Sequence, residues 1–378
     1  MAGHLVLETA AFQDIVRKAN TVAASRGEAY EKAAGIVLES NGSAATVRAT
    51  NLDIFYTEWL DPQSLSDTPF TWRLSARLLT AIANSLPNGP SATVKLEVKA
   101  GAENKLVFTS GKTMRASMPI MSLDGFPEWG VFAPDTLVEV PGFTRAISMV
   151  EWATSEHEVP AVLKGVHFDG ERVYATNKLK ACWAKFKMST TEPFTIPANV
   201  VAQLVKTNGG GDAKLEYQGD KLHIMPNNHT QIQVIAYDEK YPQIRMLWDK
   251  VPPDEFVIPR TAALAVLNRA VPLGTTDRQP GMYVVLGKGQ LVAYAKTETD
   301  GATSGDTLET PGYLNHPRVE YFFVPAVLIA AVENAPEERI TVLYNREQPG
   351  KPWFISCGDE YSALISPRRQ SSPATSAP

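Results

Sequence analysis

The chain has 378 residues, 44% of them hydrophobic and 20% charged, with a formal net charge of -5 at pH 7. The length exceeds what one hydrophobic core comfortably supports and points to two or three domains, while the charge excludes a wholly basic surface built for tight nonspecific nucleic-acid binding but permits a local basic wall. No apolar run reaches the roughly 18 residues needed to cross a membrane, the N-terminus lacks the basic-then-apolar pattern of a secretory signal, so a cytoplasmic location is expected, and Cys182 and Cys357, far apart and without histidine neighbours, read as core thiols.

The first predicted element is a helix from Phe12 to Ala24, with Phe12, Ile15, Val16, Ala19 and Val22 spaced along one face. A hairpin follows whose second strand ends in a polar turn, TVRATNLDI at Thr46. LSARLLTAIANSL from Leu74 reads as a second helix capped by Ser75, and TVKLEVK as the next strand; a final hairpin ends at the aromatic-proline corner Phe126–Trp129.

The same order then recurs. A helix from Phe143 to Thr154 carries Phe143, Ala146, Ile147 and Val150 at helical spacing, and the strand RVYATNKLK at Arg172 shares the tripeptide ATN with the first copy. IPANVVAQLVKTN from Ile196 is a helix with Pro197 at its start. The run Asn208-Gly209-Gly210-Gly211-Asp212 follows a helix and enters a strand, the reverse of a phosphate-binding loop, and is read as a helix-stop turn before AKLEYQG. The copy closes on a second corner, Tyr241–Ile244.

A third helix-hairpin-helix-strand set comprises Thr261 to Val271, with Leu264, Val266 and Leu267; QLVAYAKTE at Gln290; VPAVLIAAVENA from Val324, with Pro325 at its start; and RITVLYN. The Gly/Thr/Asp-rich stretch Thr299 to Gly312 is read as a flexible hairpin insertion, and SSPATSAP at the end as a disordered tail. Thr50, Thr176 and Thr297 stand 126 and 121 residues apart, one period measured twice. The expected architecture is α+β: three tandem copies of one domain of two helices on antiparallel strands, with boundaries at 1–130, 131–250 and 251–370 and a tail at 371–378.

Nothing in this pattern is chemical. None of the six histidines has a metal-binding spacing, no serine sits in a nucleophile elbow, and no nucleophile, base and metal converge, so neither enzyme activity nor a cofactor is expected. Tandem copies packing through repeated surfaces must close or run on, and a dimer of three-copy chains gives a closed ring of six domains.

The order of motifs, above all FTIPANVVAQLVKTNGGGDAKLEYQGDKLHIMPNNHTQIQVIAYDEKYPQIRML in the middle copy, resembles the bacterial DNA polymerase III beta subunit, the DNA sliding clamp, from about Leu7 to Arg369. The resemblance implies a head-to-tail homodimeric ring around double-stranded DNA that confers processivity on a DNA polymerase, is placed by a clamp-loader ATPase, and has no membrane partner. It is weaker in the third copy, where the corner is replaced by ISPRR, and the Asn177–Ala181 and Ser366–Gln370 stretches depart from the family pattern; a divergent, phage-encoded member is one expectation, and a ring tethering RNA polymerase for transcription an alternative. An enzyme whose site hides in loops such as Thr299 to Gly312 is the reading from a different class.

Under the ring expectation, cations outside or beside the apolar stripes face DNA phosphates: Arg17, Lys18, Arg77, Arg145, Lys206 and Arg269, with Arg26 in a loop. Carried over by position, a partner-peptide pocket is expected at Leu163, Thr176, Lys178, Leu179, Lys180, Ala181, Pro242, Met246, Leu247, Leu364, Ser366 and Arg368. Dimer contacts are expected from an edge strand spanning Lys112 to Ser117, including Met114 and Arg115, against Pro272 and Leu273.

Overall fold

A computed structural model describes residues 3–23, 31–87, 89–98, 104–156, 160–189, 192–209, 212–274, 281–296 and 302–368. Among the described residues six α-helices fall where the apolar spacing places them: α1 (Thr9–Val22), α2 (Ala76–Ser85), α3 (Phe143–Val150), α4 (Ala198–Gly209), α5 (Arg260–Gly274) and α6 (Pro325–Glu333). In α1 the predicted stripe of Phe12, Ile15, Val16, Ala19 and Val22 is the buried face. α3 is shorter than expected: it tightens after Val150 into a 3-10 turn, Glu151–Ala153. α5 runs past Val271, with Pro272 in its last turn. Pro325 starts α6 as expected, whereas Ser75, expected to cap α2 through its hydroxyl, makes no side-chain capping bond.

Among the described residues all strand pairs are antiparallel, in four sheets. Two compact units divide the chain and cut across the three expected segments: residues 1–144 with 199–238, and residues 145–198 with 239–378.

The first unit holds a five-stranded sheet, in the order Ser64–Leu65, His4–Glu8, Thr93–Val98, Lys105–Ser110, Met114–Pro119. Its eight-stranded sheet runs Val138–Val140, Ala213–Gln218, Lys221–Asn227, Thr230–Ile235, Ile54–Leu60, Ala45–Thr50, Ile36–Ser40, Phe70–Leu74. At the middle of that sheet Gln231 pairs with Thr57 and Gln233 with Phe55, joining strands from the first and middle thirds of the chain. α1 packs on strands of both sheets and on α2, burying Leu5, Leu7, Phe12, Leu79, Leu96 and Phe108 around one core.

The second unit repeats the scheme. Its eight-stranded sheet runs Phe194–Ile196, Val166–Phe168, Arg172–Thr176, Lys180–Lys185, Tyr361–Ile365, Trp353–Cys357, Arg339–Tyr344, Asp254–Pro259, joined at its centre where Ala181 pairs with Leu364 and Trp183 with Ser362. A four-stranded sheet follows the order Thr303–Glu309, Gln290–Lys296, Met282–Gly287, Val319–Phe323. Alternation sets its inward face: Met282, Val284, Leu286, Leu291, Ala293 and Ala295 are buried beneath α5 and α6.

The hairpin expected over Thr299 to Gly312 is present in its described part, but as a regular sheet strand rather than a flexible insertion: residues 303–309 pair in register with Gln290–Lys296. Its alternate residues Ser304, Asp306 and Leu308 are half-buried, so the stretch has the period of a strand although its composition is that of a loop. The turn after Met282–Gly287 needs its glycine: Gly287 has φ +140°, and a Cβ there would lie 2.7 Å from the Pro317 carbonyl oxygen.

The shared ATN tripeptide is a turn-forming device. Asn51 Oδ1 accepts hydrogen bonds from the backbone N–H groups of Asp53 and Ile54, at 3.1 and 2.8 Å, and Asn177 Oδ1 accepts from Leu179 and Lys180, both at 3.0 Å. Thr50 and Thr176 hydroxyls accept from Leu52 and Lys178, at 2.9 and 3.1 Å. These bonds hold Leu52 (φ 77°) and Lys178 (φ 74°) in the left-handed region that side chains normally avoid.

Candidate functional site

The exposed faces of the helices carry most of the expected cations. Arg77 on α2 and Arg145 on α3 are exposed, and among the described residues neither makes an ion pair; Lys206 on α4 is exposed as well. Arg17 on α1 is exposed but bonded to Asp14 one turn back, and Arg269 on α5 is bonded to Asp306. α6 contributes no cation.

Lys18 is a correction. It was expected on the solvent face, yet it is 7% exposed, with its ammonium 2.8 Å from Asp14 Oδ2 and 3.3 Å from Glu58 Oε1. The Tyr56 hydroxyl donates to the other Glu58 oxygen. The apolar stripe of α1 is wide enough to take in position 18, next to Ala19 and Val22, and a buried charge there needs its partners. Burial by itself would raise the Asp14 carboxyl; hydrogen bonds and charge from Lys18 and Arg17 outweigh it and hold the group below the usual carboxylate value. Arg26 lies outside the described residues. Between α1 and α2 a groove of 690 Å³ is lined by Gln13, Asp14, Arg17, Asn20, Thr80 and Asn84, an amide-rich wall rather than a continuous basic one.

The expected pocket residues fall in the second unit and divide into two sets. Thr176, Ala181 and Leu364 lie on one face at the centre of its long sheet, where Thr176 pairs with Ala181 and Ala181 with Leu364; all three are buried. Leu163, in the turn Ala161–Lys164, is buried too. Lys178 and Leu179, in the turn made by Asn177, are exposed, Leu179 by 75%. Pro242, Ser366 and Arg368 are exposed, as are Met246 (61%) and Leu247 (41%) on a 3-10 segment, Ile244–Asp249.

Lys180 is half-buried, donating to the Trp152 carbonyl with its ammonium 5.3 Å from the Trp152 ring centre, and burial lowers its pKa. Residues 241–249 press onto the sheet face. The Tyr241 ring stacks on His167, centroids 4.5 Å apart, and Ile244 is buried. Burial holds the His167 imidazole down at about 4, so it is neutral at ordinary pH. Sequence reasoning missed Trp248, which is half-buried in this cover, less enclosed than Tyr241 and Ile244. Its only sequence signal was an aromatic residue two positions after the exposed Met246.

The expected edge strand begins at Met114, so Lys112 sits in the preceding turn rather than in the strand; Arg115 and Ser117 alternate outward. Met114–Pro119 is the last strand of its sheet, and Thr303–Glu309, which sequence reasoning took for an insertion, is the last strand of the four-stranded sheet. Pro272 is exposed and Leu273 half-buried. Among the described residues no cluster of three potential metal ligands occurs, and no helix is long and apolar enough to cross a membrane.

No protein-family model matches the chain. No curated protein matches it either. Solved structures do, over almost its whole length. The chain is similar to the DNA polymerase III beta subunit of Thermotoga maritima, with 15% identity, coverage of 98% of this chain and 100% of that one, and a TM-score of 0.82. The DNA polymerase sliding clamp of Bacillus subtilis gives 16% identity, 98% and 100% coverage and a TM-score of 0.80. A Pseudomonas aeruginosa sliding clamp bound to griselimycin gives 14% identity, the same coverages and a TM-score of 0.81. At these identities the likeness is one of fold: the chain has the α+β fold of the bacterial sliding clamps, as its motif order led us to expect.

Proposed function

We propose that this chain is a DNA sliding clamp, two copies of which close head to tail around duplex DNA and tether a DNA polymerase once a clamp-loader ATPase has placed them. The observation that carries this reading is the pair of open sheet edges. Inside the chain, two junctions follow one rule: the final strand of one half-sheet pairs with the third strand of another, Thr230–Ile235 with Ile54–Leu60 and Tyr361–Ile365 with Lys180–Lys185. By chain order, Met114–Pro119 and Thr303–Glu309 hold the same two positions, and each is left at an edge. A second copy supplies the missing strand to each edge, so two chains satisfy every edge of this kind and the assembly closes.

In that assembly Arg17, Arg77, Arg145, Lys206 and Arg269 face the DNA phosphates through loose, salt-sensitive contacts, which suit sliding better than a fixed grip. The net charge of -5 keeps the rest of the surface from binding DNA on its own. Polymerase and loader peptides dock on the sheet face near Thr176, Ala181 and Leu364, between the exposed Leu179 and the exposed Met246 and Leu247. Griselimycin, which the Pseudomonas aeruginosa clamp binds, is taken as the probe to test on that face.

The test is topological. After loading, the protein is expected to stay with nicked circular plasmid through gel filtration and to leave when the plasmid is linearised. Equal retention on both forms would show a DNA binder that is not a clamp.

A further inference from the structure

We propose that Trp248 is a removable plug over the partner-binding face of the second unit, so that its release decides what the face accepts. The inference rests on the assignment of that face under the proposed function. Thr176, Ala181 and Leu364, which a partner's apolar side chain has to reach, are buried with no partner present. The half-buried Trp248 indole lies on the same sheet face, over their neighbours. Its N–H donates to Ser362 Oγ at 3.0 Å, its ring meets Trp183 edge-to-face at 6.5 Å between centroids, and Phe354 lies 6.4 Å away. Ser362 pairs with Trp183, and Leu364 lies two residues along the same strand face and opposite both Ala181 and Phe354, so the indole stands directly on the face in question.

The first unit has a cover held by more bonds. There the corresponding strands, Ala45–Thr50, Ile54–Leu60 and Thr230–Ile235, are covered by Trp129. The Trp129 N–H donates to Thr57 at 3.0 Å, its ring lies 4.1 Å from the Arg48 guanidinium carbon and 5.2 Å from Phe55, and its carbonyl accepts from Arg48. Side chains strap the neighbouring backbone: Gln231 both donates to the Phe132 carbonyl and accepts from the Phe132 N–H, and Gln233 donates to the Gly130 carbonyl.

Among the described residues the Trp248 indole has one hydrogen bond, one edge contact with Trp183 and one tilted contact with Phe354, on a short 3-10 segment whose Met246 and Leu247 already face solvent. The position of Phe55 in the first unit is taken in the second by Ala181, so removing the indole there opens a hollow where the first unit has a ring. The Trp183 indole N–H is buried and has no acceptor. The occupant that fits is a peptide segment with an apolar, ring-sized side chain beside a carbonyl or carboxylate that can accept from Trp183.

The experiment uses full-length protein carrying 5-fluorotryptophan, with griselimycin as the probe. The Trp248 fluorine resonance, assigned from Trp248→Phe, is expected to shift on saturation. Trp248→Ala is expected to bind griselimycin roughly tenfold tighter, because the fraction of molecules competent to bind is no longer limited by the plug. Ser362→Ala, which keeps both indoles, is expected to gain about threefold on the same grounds. Griselimycin binding with a stationary Trp248 resonance, or with no gain in either variant, would overturn the plug and leave the clamp reading standing. No binding to any of the proteins would remove the plug together with the assignment of this face, while retention on circular DNA still judges the clamp separately.

Discussion

Lys18 and Arg17 are neighbours on α1 with opposite fates. Arg17 is exposed and shares its charge with Asp14 at the surface, an arrangement worth little to stability. Lys18 is held under the helix by Asp14 and Glu58, and its removal leaves the Glu58 carboxylate buried beside Tyr56 without a counter-charge. Lys18→Ala is expected to destabilise the protein by about 3 kcal/mol. Arg17→Ala is expected to stay within about 0.5 kcal/mol of wild type and to weaken DNA retention instead. Urea unfolding of both variants checks the contrast.

His167 gives a pH prediction at the same scale. Its folded pKa, about 4, lies below the ordinary 6.5, so the unfolded chain takes up a proton first as pH falls. Its contribution to stability is therefore complete above pH 6.5 and is lost on acidification through about 4. In His167→Phe, which keeps a ring against Tyr241, the urea midpoint should fall less steeply over that window. A slope equal to wild type would assign the acid sensitivity to other groups. Neither the burial of Lys18 nor that of His167 was legible in the sequence, since each depends on residues far away in the chain, Glu58 for the one and Tyr241 for the other.

At the scale of elements, the helices were legible because their signal is local. Apolar residues three and four apart decide a face wherever the rest of the chain goes, and α1, α4 and α6 lie within a few residues of their expected limits. Edges are different. The composition of residues 303–309 is that of a loop, and only the partner strand Gln290–Lys296 makes it a strand. That strand and Met114–Pro119 carry the dimer prediction. Wild type is expected to run at twice 41.2 kDa in light scattering, and Met114→Asp or Leu273→Asp at the mass of one chain. A charge set into a closing edge or beside it has to be desolvated without a partner, which the interface cannot bear. Unchanged dimers in both variants would place the contact elsewhere.

For the molecule as a whole, the three-fold recurrence of helix, hairpin, helix and strand was readable from spacing alone, and so was the α+β class. The ATN turns show why: Asn51 and Asn177 complete their bonds within three residues, so identical local sequence yields identical local structure. What spacing could not reveal is that the long sheets are shared, half from one third of the chain and half from another, through pairs as distant as Thr57 with Gln231 and Trp183 with Ser362. Strand pairing across such separations depends on which edges meet, and no local periodicity encodes it. The sequence by itself determined the repeat, the helix faces and the turns, because these rest on residues a few positions apart. Tertiary structure alone decided which edges remain open, which lysine is buried and that Trp248 covers the face where Trp129 is fixed in the other unit, because each of these is settled by what a distant strand brings against it.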